Sequence, residues 1–317
     1  MINKPNDVLY CGVDEDKIKR AEPVINSDIF KKFVHFVGER YSVHIKKDIL
    51  KQEPPYTDDE IISTYRFTNI RREHDKETKW LIANVINGDI SLENKILNSI
   101  LFRIYNKHET AEMLNMPIDF NNFKPSDYVE CVSHKDKLFN SAFMTSGMKA
   151  GIAVYTPEDV VEDVAIRPLY TMEHIVKINL ADKLINAENQ LDCYSELLKI
   201  NGFSSFLAYQ MFVDFTYIKE FPFSENEFTI LGPGAKCGLD FLFKDKDSMS
   251  YEEALFWLRD NFSNLLSEYG LEDPTESFTD LRQEDRIMNI MSLENCMCEL
   301  SKYVKIGRGE GRRRKYK

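Results

Sequence analysis

Apolar residues in this chain recur mostly at three- and four-residue spacing, the period of a helix that buries one stripe. Over residues 27–47 (SDIFKKFVHFVGERYSVHIKK) the stripe is Phe30, Val34, Val37 and Tyr41, widened by Phe33 and Phe36, with Ser27 and Asp28 as cap candidates. The proline-punctuated EPPYTDDEI (53–61) reads as a loop, and Thr57 followed by Glu60 is a capping-box pattern for a helix behind it. That helix would carry TYRFTNIRREHDKETKW (64–80). Its polar residues Thr68, Arg72, Asp75 and Lys79 then share one face, while Phe67, Ile70 and Trp80, with Ile61 and Ile62, anchor it. The same spacing also fits a solvated face with an i,i+3 ion pair.

Further along, 91–106 places Leu92, Ile96, Ile100 and Ile104 in one stripe. The pattern weakens over 115–160, where PIDFNNFKPSDY and SAFMTSGMKAG suit loops and short elements. Helical periodicity returns at 172–200 and at 203–218, a very apolar stretch with a single acid, Asp214. Residues 250–270 are strongly amphipathic and end on a glycine, a C-cap signal. From 291 onwards Glu294, Cys298 and Lys302 follow at i, i+4 and i+8, with Glu299 and Tyr303 on the adjoining strip. The fold class expected from this pattern is mainly α, with few short strands.

Length and charge narrow the picture. A chain of 317 residues with 43% apolar content can bury one large core or two adjoining ones. The net charge of −11 argues against bulk electrostatic coating of nucleic acid, yet KIGRGEGRRRKYK (305–317) concentrates seven basic residues against one acid. Such a tail either grips a phosphate backbone or solubilises the terminus. No run of 18 apolar residues occurs and the first residues are too polar for a signal peptide, so no membrane is expected and the expected compartment is the cytoplasm. The six cysteines are scattered; Cys296 and Cys298 lack the two-residue gap of a zinc knuckle, so reduced thiols and no metal or cofactor are expected.

In FTILGPGAKCGLDFLFKD (228–245), Gly232, Pro233 and Gly234 would make a tight turn just before a helix, with backbone N–H groups able to meet a phosphate. The turn lacks the Gly-Lys-Ser/Thr ending of a Walker loop, so nucleotide kinase chemistry is not supported. A plain turn and helix start explains it equally well.

Four stretches occur in a telling order: FTNIRREHDKET, GFSSFLAYQMFVDF, LGPGAKCGLDF and ENCMCELSKY. Together with FVGERYSVHIKK and PPYTDDEIISTYRFTN upstream, they resemble the alpha-glutamyl/putrescinyl thymine pyrophosphorylases and the helical domain named after 5-hydroxymethyluracil DNA kinase. The resemblance covers most of the chain. It implies a helical fold related to helix-hairpin-helix DNA glycosylases, spanning 1–304 as one domain or two helical lobes ahead of the basic tail. It implies action on a modified pyrimidine in DNA, in a bacterium or a phage-infected host. The activity implied is transfer of an amine, from an amino acid or polyamine, onto a phosphate-activated 5-hydroxymethyluracil, with a 5-hydroxymethyluracil DNA kinase as a partner. Related folds instead excise an altered base, and a non-catalytic DNA-binding module is a third possibility.

The resemblance maps one motif onto Phe67, Thr68, Asn69, Arg72 and Asp75, with His74 where an apolar residue is usual. The others fall on Gln210 and Asp214, on Gly232, Pro233, Gly234 and Gly238, and on Glu294, Cys298, Glu299, Lys302 and Tyr303. Chemistry on a base needs the nucleotide flipped out of its stack. The expected catalytic carboxylates are Asp75, Asp214 and Glu299, with Asp214 first for a raised pKa because its setting is apolar. Expected substrate and DNA contacts are Asn69 on the uracil edge, Arg72 on a phosphate, Gly232, Gly234 and Lys236 on the DNA backbone, and Gln210, Lys302 and Tyr303 nearby.

Overall fold

The computed structural model describes residues 23–140, 145–246, 249–282, 286–310 and 315. Among them the chain is mainly helical. In order the helices are α1 (Ser27–His44), α2 (Glu60–Thr64), α3 (Lys76–Leu81), α4 (Leu92–Tyr105), α5 (His108–Met113), α6 (Val129–Val132) and α7 (Ser146–Ala153). They continue with α8 (Arg167–Lys177), α9 (Leu180–Ile185), α10 (Gln190–Leu198), α11 (Ser205–Thr216), α12 (Pro233–Leu242), α13 (Tyr251–Tyr269) and α14 (Ile290–Gly307). Strands β1 (Val24–Ile25) and β2 (Phe243–Asp245) form a short antiparallel pair, with Val24 opposite Asp245 and Ile25 opposite Phe243.

Two compact units result. One takes in the described residues of Met1–Arg72 and Glu225–Lys317, the other Glu73–Ser224. In the first, α1 delivers Phe30, Phe33, Phe36, Val37 and Tyr41 to a core shared with α12, α13 and α14, and none of the five retains exposed surface. Aromatic edges set much of that packing, as where Phe36 meets Phe67 at 5.2 Å and Tyr303 at 5.4 Å between ring centres. In the second unit α4 and α11 are buried on nearly all sides, so their apolar residues run around the helix instead of along one stripe.

Helix ends follow local chemistry. Ser91 caps α4, Ser204 caps α11, and Ser250 with Glu253 forms a complete capping box on α13, which Gly270 ends at φ 64°. The expected Thr57 cap is not the one used. Asp59 accepts the N–H groups of Ile61 and Ile62 at 2.8 and 2.9 Å, while Thr57 supports Asp59 and donates to Glu39 at 2.5 Å. Asn26 caps α1 in place of Ser27 or Asp28. The periodic stretch 172–200 is three helices, broken where Asn179 turns left-handed at φ 53°.

The larger departure is at 64–80, which is not one helix. α2 stops at Tyr65, and only Arg72–His74 (a 3-10 turn) and α3 are helical beyond it. Asp75 is the N-cap of α3, accepting from the N–H groups of Glu77 and Thr78 at 3.1 and 3.3 Å, so Thr68, Arg72, Asp75 and Lys79 do not form one helical face.

Helices α12 and α14 approach unusually closely. A Cβ on Gly234 would stand 2.5 Å from the Cys298 sulfur, and one on Gly238 would stand 2.1 Å from the Met297 carbonyl oxygen. The G-x-x-x-G spacing therefore lets two backbones meet. Gly238→Ala is expected to cost at least about 1–3 kcal/mol, because a backbone oxygen cannot rotate away; a urea denaturation midpoint equal to wild type would refute this.

Candidate functional site

The first unit gathers most of the predicted site residues around α14. Two strips of this helix have different duties. Glu294 and Cys298 face the start of α12, whereas Asn295, Glu299 and Lys302 face residues 66–69.

The extended 66–69 segment is held by side chains from distant parts of the chain. The Phe67 carbonyl accepts from Arg40 Nη2 at 3.3 Å, and the Thr68 N–H donates to Glu299 Oε2 at 3.3 Å. The Asn69 carbonyl accepts from Asn295 Nδ2 at 2.8 Å, and the Thr68 hydroxyl donates to Asn295 Oδ1 at 3.1 Å. Lys302 donates to the Arg66 carbonyl and to Glu299 Oε2, with its ammonium 4.4 Å from the centre of the Phe67 ring. These bonds satisfy backbone groups that a helix would have satisfied internally. The Asn69 side chain is oriented too, its Oδ1 accepting from Arg40 Nη2 at 2.6 Å.

Glu294 sits where the Gly-Pro-Gly turn opens α12. Its Oε1 accepts the Gly232 N–H at 3.3 Å, so this predicted anion-binding amide already meets a carboxyl group of the protein. Burial pushes the carboxyl up to about 7, against the opposing pull of the Gly232 amide and the Arg72 charge. The side chain nonetheless keeps some access to solvent. A carboxyl group that is half protonated near neutral pH can both take and give a proton.

The other ionisable groups of α14 are set differently. Cys298 is pushed up to about 12 by burial and by Glu299 and Glu294, and burial raises Cys296 as well. Tyr303 is also raised, first by burial and then by its 2.6 Å hydrogen bond to Asp59. Burial would raise Asp59 in turn, but bonds from Tyr303, Ile62, His35 and Ile61 prevail and hold it below the usual carboxylate range. Cys298, shifted from an ordinary value of 9.0 to about 12, carries about a thousandfold less thiolate at neutral pH. Alkylation followed by peptide mapping should therefore mark Cys298 far more slowly in the folded protein than in the urea-unfolded chain. Equal labelling would contradict this setting.

Basic groups lie over aromatic rings on this unit. Lys236 and Lys246 stand 5.3 and 4.3 Å from the Tyr251 ring centre, Arg308 is 4.6 Å from Phe241, and Lys315 is 5.7 Å from Tyr65. Of the basic tail, residues 311–314, 316 and 317 lie outside the described residues.

The second unit holds Asp75, Asp214 and Gln210. Asp75 caps α3 as described. Asp214, fully enclosed, has both oxygens bound by Arg103, Nε to Oδ2 at 2.6 Å and Nη2 to Oδ1 at 2.7 Å. That is the geometry of a structural ion pair. Gln210 is buried on the same helix. A cavity of about 300 Å³ in this unit is lined by Glu93, Asn94, Phe120, Asn121 and Asn179 among others, and by none of the predicted site residues.

Sequence reasoning passed over Arg40, Arg103 and Asn295 altogether and gave Glu294 no acid–base role. Glu294 and Asn295 immediately precede the C-M-C motif and were within reach. Arg40 and Arg103 carry no local signal, since each is a basic residue in a long helix.

Residues 27–313 match the family described as the helical domain of 5-hmdU DNA kinase, and the chain belongs to that family. One relative, named 5-hmdU DNA kinase and found in Bacillus phage SP10, is 23% identical over 315 residues. The match covers 94% of this chain and 48% of the relative, so the chain spans about half the length of the curated relative it matches. No solved structure matches.

Proposed function

We propose that this chain is a DNA-modifying enzyme that acts on an everted 5-substituted pyrimidine, transferring the amine of an amino acid or polyamine onto a phosphate-activated 5-hydroxymethyluracil. In this reading the fold is glycosylase-like, with Gly232–Pro233–Gly234 as the helix-hairpin-helix turn. The observation that carries the proposal is Glu294, a partly accessible carboxyl raised to about 7 beside the positive charge of Arg72. A nucleophilic amine must arrive without its extra proton, and a base matched to neutral pH can take it.

The step balances as follows. The amine nitrogen bonds to the 5-methylene carbon, the carbon–oxygen bond to the phosphate breaks, and the phosphate leaves with the electron pair. The ammonium proton passes to the Glu294 carboxylate, and Arg72 offsets the charge of the departing phosphate. Asn69, fixed by Arg40, presents an amide toward a pyrimidine edge. Lys236, Lys302 and Arg308 serve the DNA backbone. Glu299 positions the 66–69 segment. Phosphorylation of the hydroxymethyl group falls to a partner kinase activity, since this sequence has no Gly-Lys-Ser/Thr loop.

The test is nucleoside mass spectrometry of DNA carrying 5-phosphomethyluracil after incubation with the chain and a panel of amino acids and polyamines. The expected product is a nucleoside heavier by the amine and lighter by the phosphate. Unchanged nucleosides across the panel would reject transfer, and release of free base with abasic sites would establish excision instead.

A further inference from the structure

In the second unit, two carboxylates converge on one imidazole nitrogen. Glu77, in the first turn of α3, places Oε1 and Oε2 each 3.1 Å from His108 Nδ1. Glu109, the next residue along α5, places Oε2 3.3 Å from the same nitrogen. One donor atom from each of the three residues lies within 4.8 Å of the other two.

An ion pair accounts poorly for this arrangement. A ring nitrogen carries at most one hydrogen, so Nδ1–H can satisfy one of the three oxygens around it. Glu77 Oε2 already has a donor, the His108 backbone N–H at 2.6 Å. Glu109 Oε2 is closed off from solvent and takes no side-chain hydrogen bond among the described residues, although it points at the imidazole. The nearby ammonium of Lys76 stands 4.0 Å from the other oxygen, Oε1.

A divalent cation resolves the geometry. Metal–ligand bonds of about 2.0–2.2 Å in a tetrahedral arrangement separate neighbouring ligand atoms by roughly 3.3–3.6 Å. The spacings of 3.1 and 3.3 Å come within a few tenths of an ångström of that. Two carboxylates and a neutral imidazole sum to a charge that a divalent ion offsets, and one nitrogen with carboxylate oxygens is a donor set for Mn²⁺ or Zn²⁺. Glu109, with 46% of its side chain exposed, leaves one side open for entry and for a water ligand. We infer that Glu77, His108 and Glu109 form a binding site for a first-row divalent metal ion.

Mn²⁺ is the probe of choice, because the six cysteines compete for Zn²⁺ and not for the harder ion. The full chain, stripped with EDTA and desalted, is titrated with MnCl₂ by calorimetry and by loss of the free-ion electron paramagnetic resonance signal. One ion per chain is expected. Glu109→Gln removes a ligand charge at an exposed position, and Glu77→Gln keeps an oxygen for the His108 N–H; each should weaken binding about tenfold or more while circular dichroism stays unchanged. His108→Gln should abolish it, and His134→Ala, at an exposed histidine, should bind as wild type does. Absence of saturable binding would overturn the site, as would affinity that survives the Glu77, His108 and Glu109 substitutions.

Discussion

Arg103→Ala is expected to destabilise the second unit by about 3–5 kcal/mol, a large share of the 5–15 kcal/mol that holds a typical domain together. Arg103 is 2% exposed and Asp214 is fully enclosed. The guanidinium does more than neutralise the acid. Its Nη1 donates to Asn106 Oδ1 at 2.6 Å, the residue that ends α4, and its Nη2 also reaches the Thr78 hydroxyl at 3.5 Å. Truncation would strip the enclosed Asp214 carboxylate of the two charge-assisted bonds it takes from Arg103, which costs more than the pair itself contributes. Arg103→Lys should recover little, because an ammonium cannot bind both oxygens in one plane. A paired apolar replacement, Arg103→Met with Asp214→Leu, should restore much of the stability. Urea unfolding of the four proteins decides the matter, and a single-substitution loss under about 1 kcal/mol would show that the pair is not structural. The same double variant asks what Asp214 does. Retained nucleoside modification would confine it to architecture, whereas a stable but inactive protein would return it to the chemistry.

The contrast between what the sequence disclosed and what it concealed follows the range of the interactions. α1, α4, α11, α13 and α14 were legible because the three- and four-residue apolar spacing that marks a helix is local, as is the Gly270 that closes α13. Residues 64–80 misled for the opposite reason. Their spacing is helical, but the partners that hold 66–69 extended are Arg40 and three residues of α14, more than two hundred positions downstream. No local pattern announces such bonds. Asp214 is similar: its partner Arg103 lies 111 residues away in sequence, beyond the reach of any local pattern.

The glycine turn illustrates a finer point. Read alone, Gly232–Pro233–Gly234 offers amides to a phosphate, and the residues that follow look like spacing. In the folded chain Gly234 and Gly238 are the points where α14 touches α12, and Gly232 donates to Glu294. One motif thus brings the two helices together and sets a carboxyl group at their junction. Burial of Glu294 beside the start of α12 is what raises its carboxyl. Packing and proton chemistry at this position have a common origin.

Glu294→Gln is accordingly expected to lower the rate of nucleoside modification by about 10²–10⁴-fold, the usual contribution of a positioned acid–base group. Wild-type activity should rise with pH through about 7 as the carboxyl group ionises, and the variant should lose that limb while keeping any limb that belongs to the amine substrate. Stability should move in the other direction. Because the folded protein holds the Glu294 proton up to about 7 against an ordinary 4.5, the associated stabilisation is present below the ordinary value and fades as pH rises through the folded one. Glutamine carries no charge at any pH and can still accept the Gly232 N–H. The variant should therefore match wild type in thermal unfolding near pH 5 and exceed it at pH 8. A variant that is active with an unchanged pH profile would remove Glu294 from the chemistry. One that is inactive and no more stable than wild type at pH 8 would show instead that the ionised carboxylate is well accommodated, and that the burial argument fails.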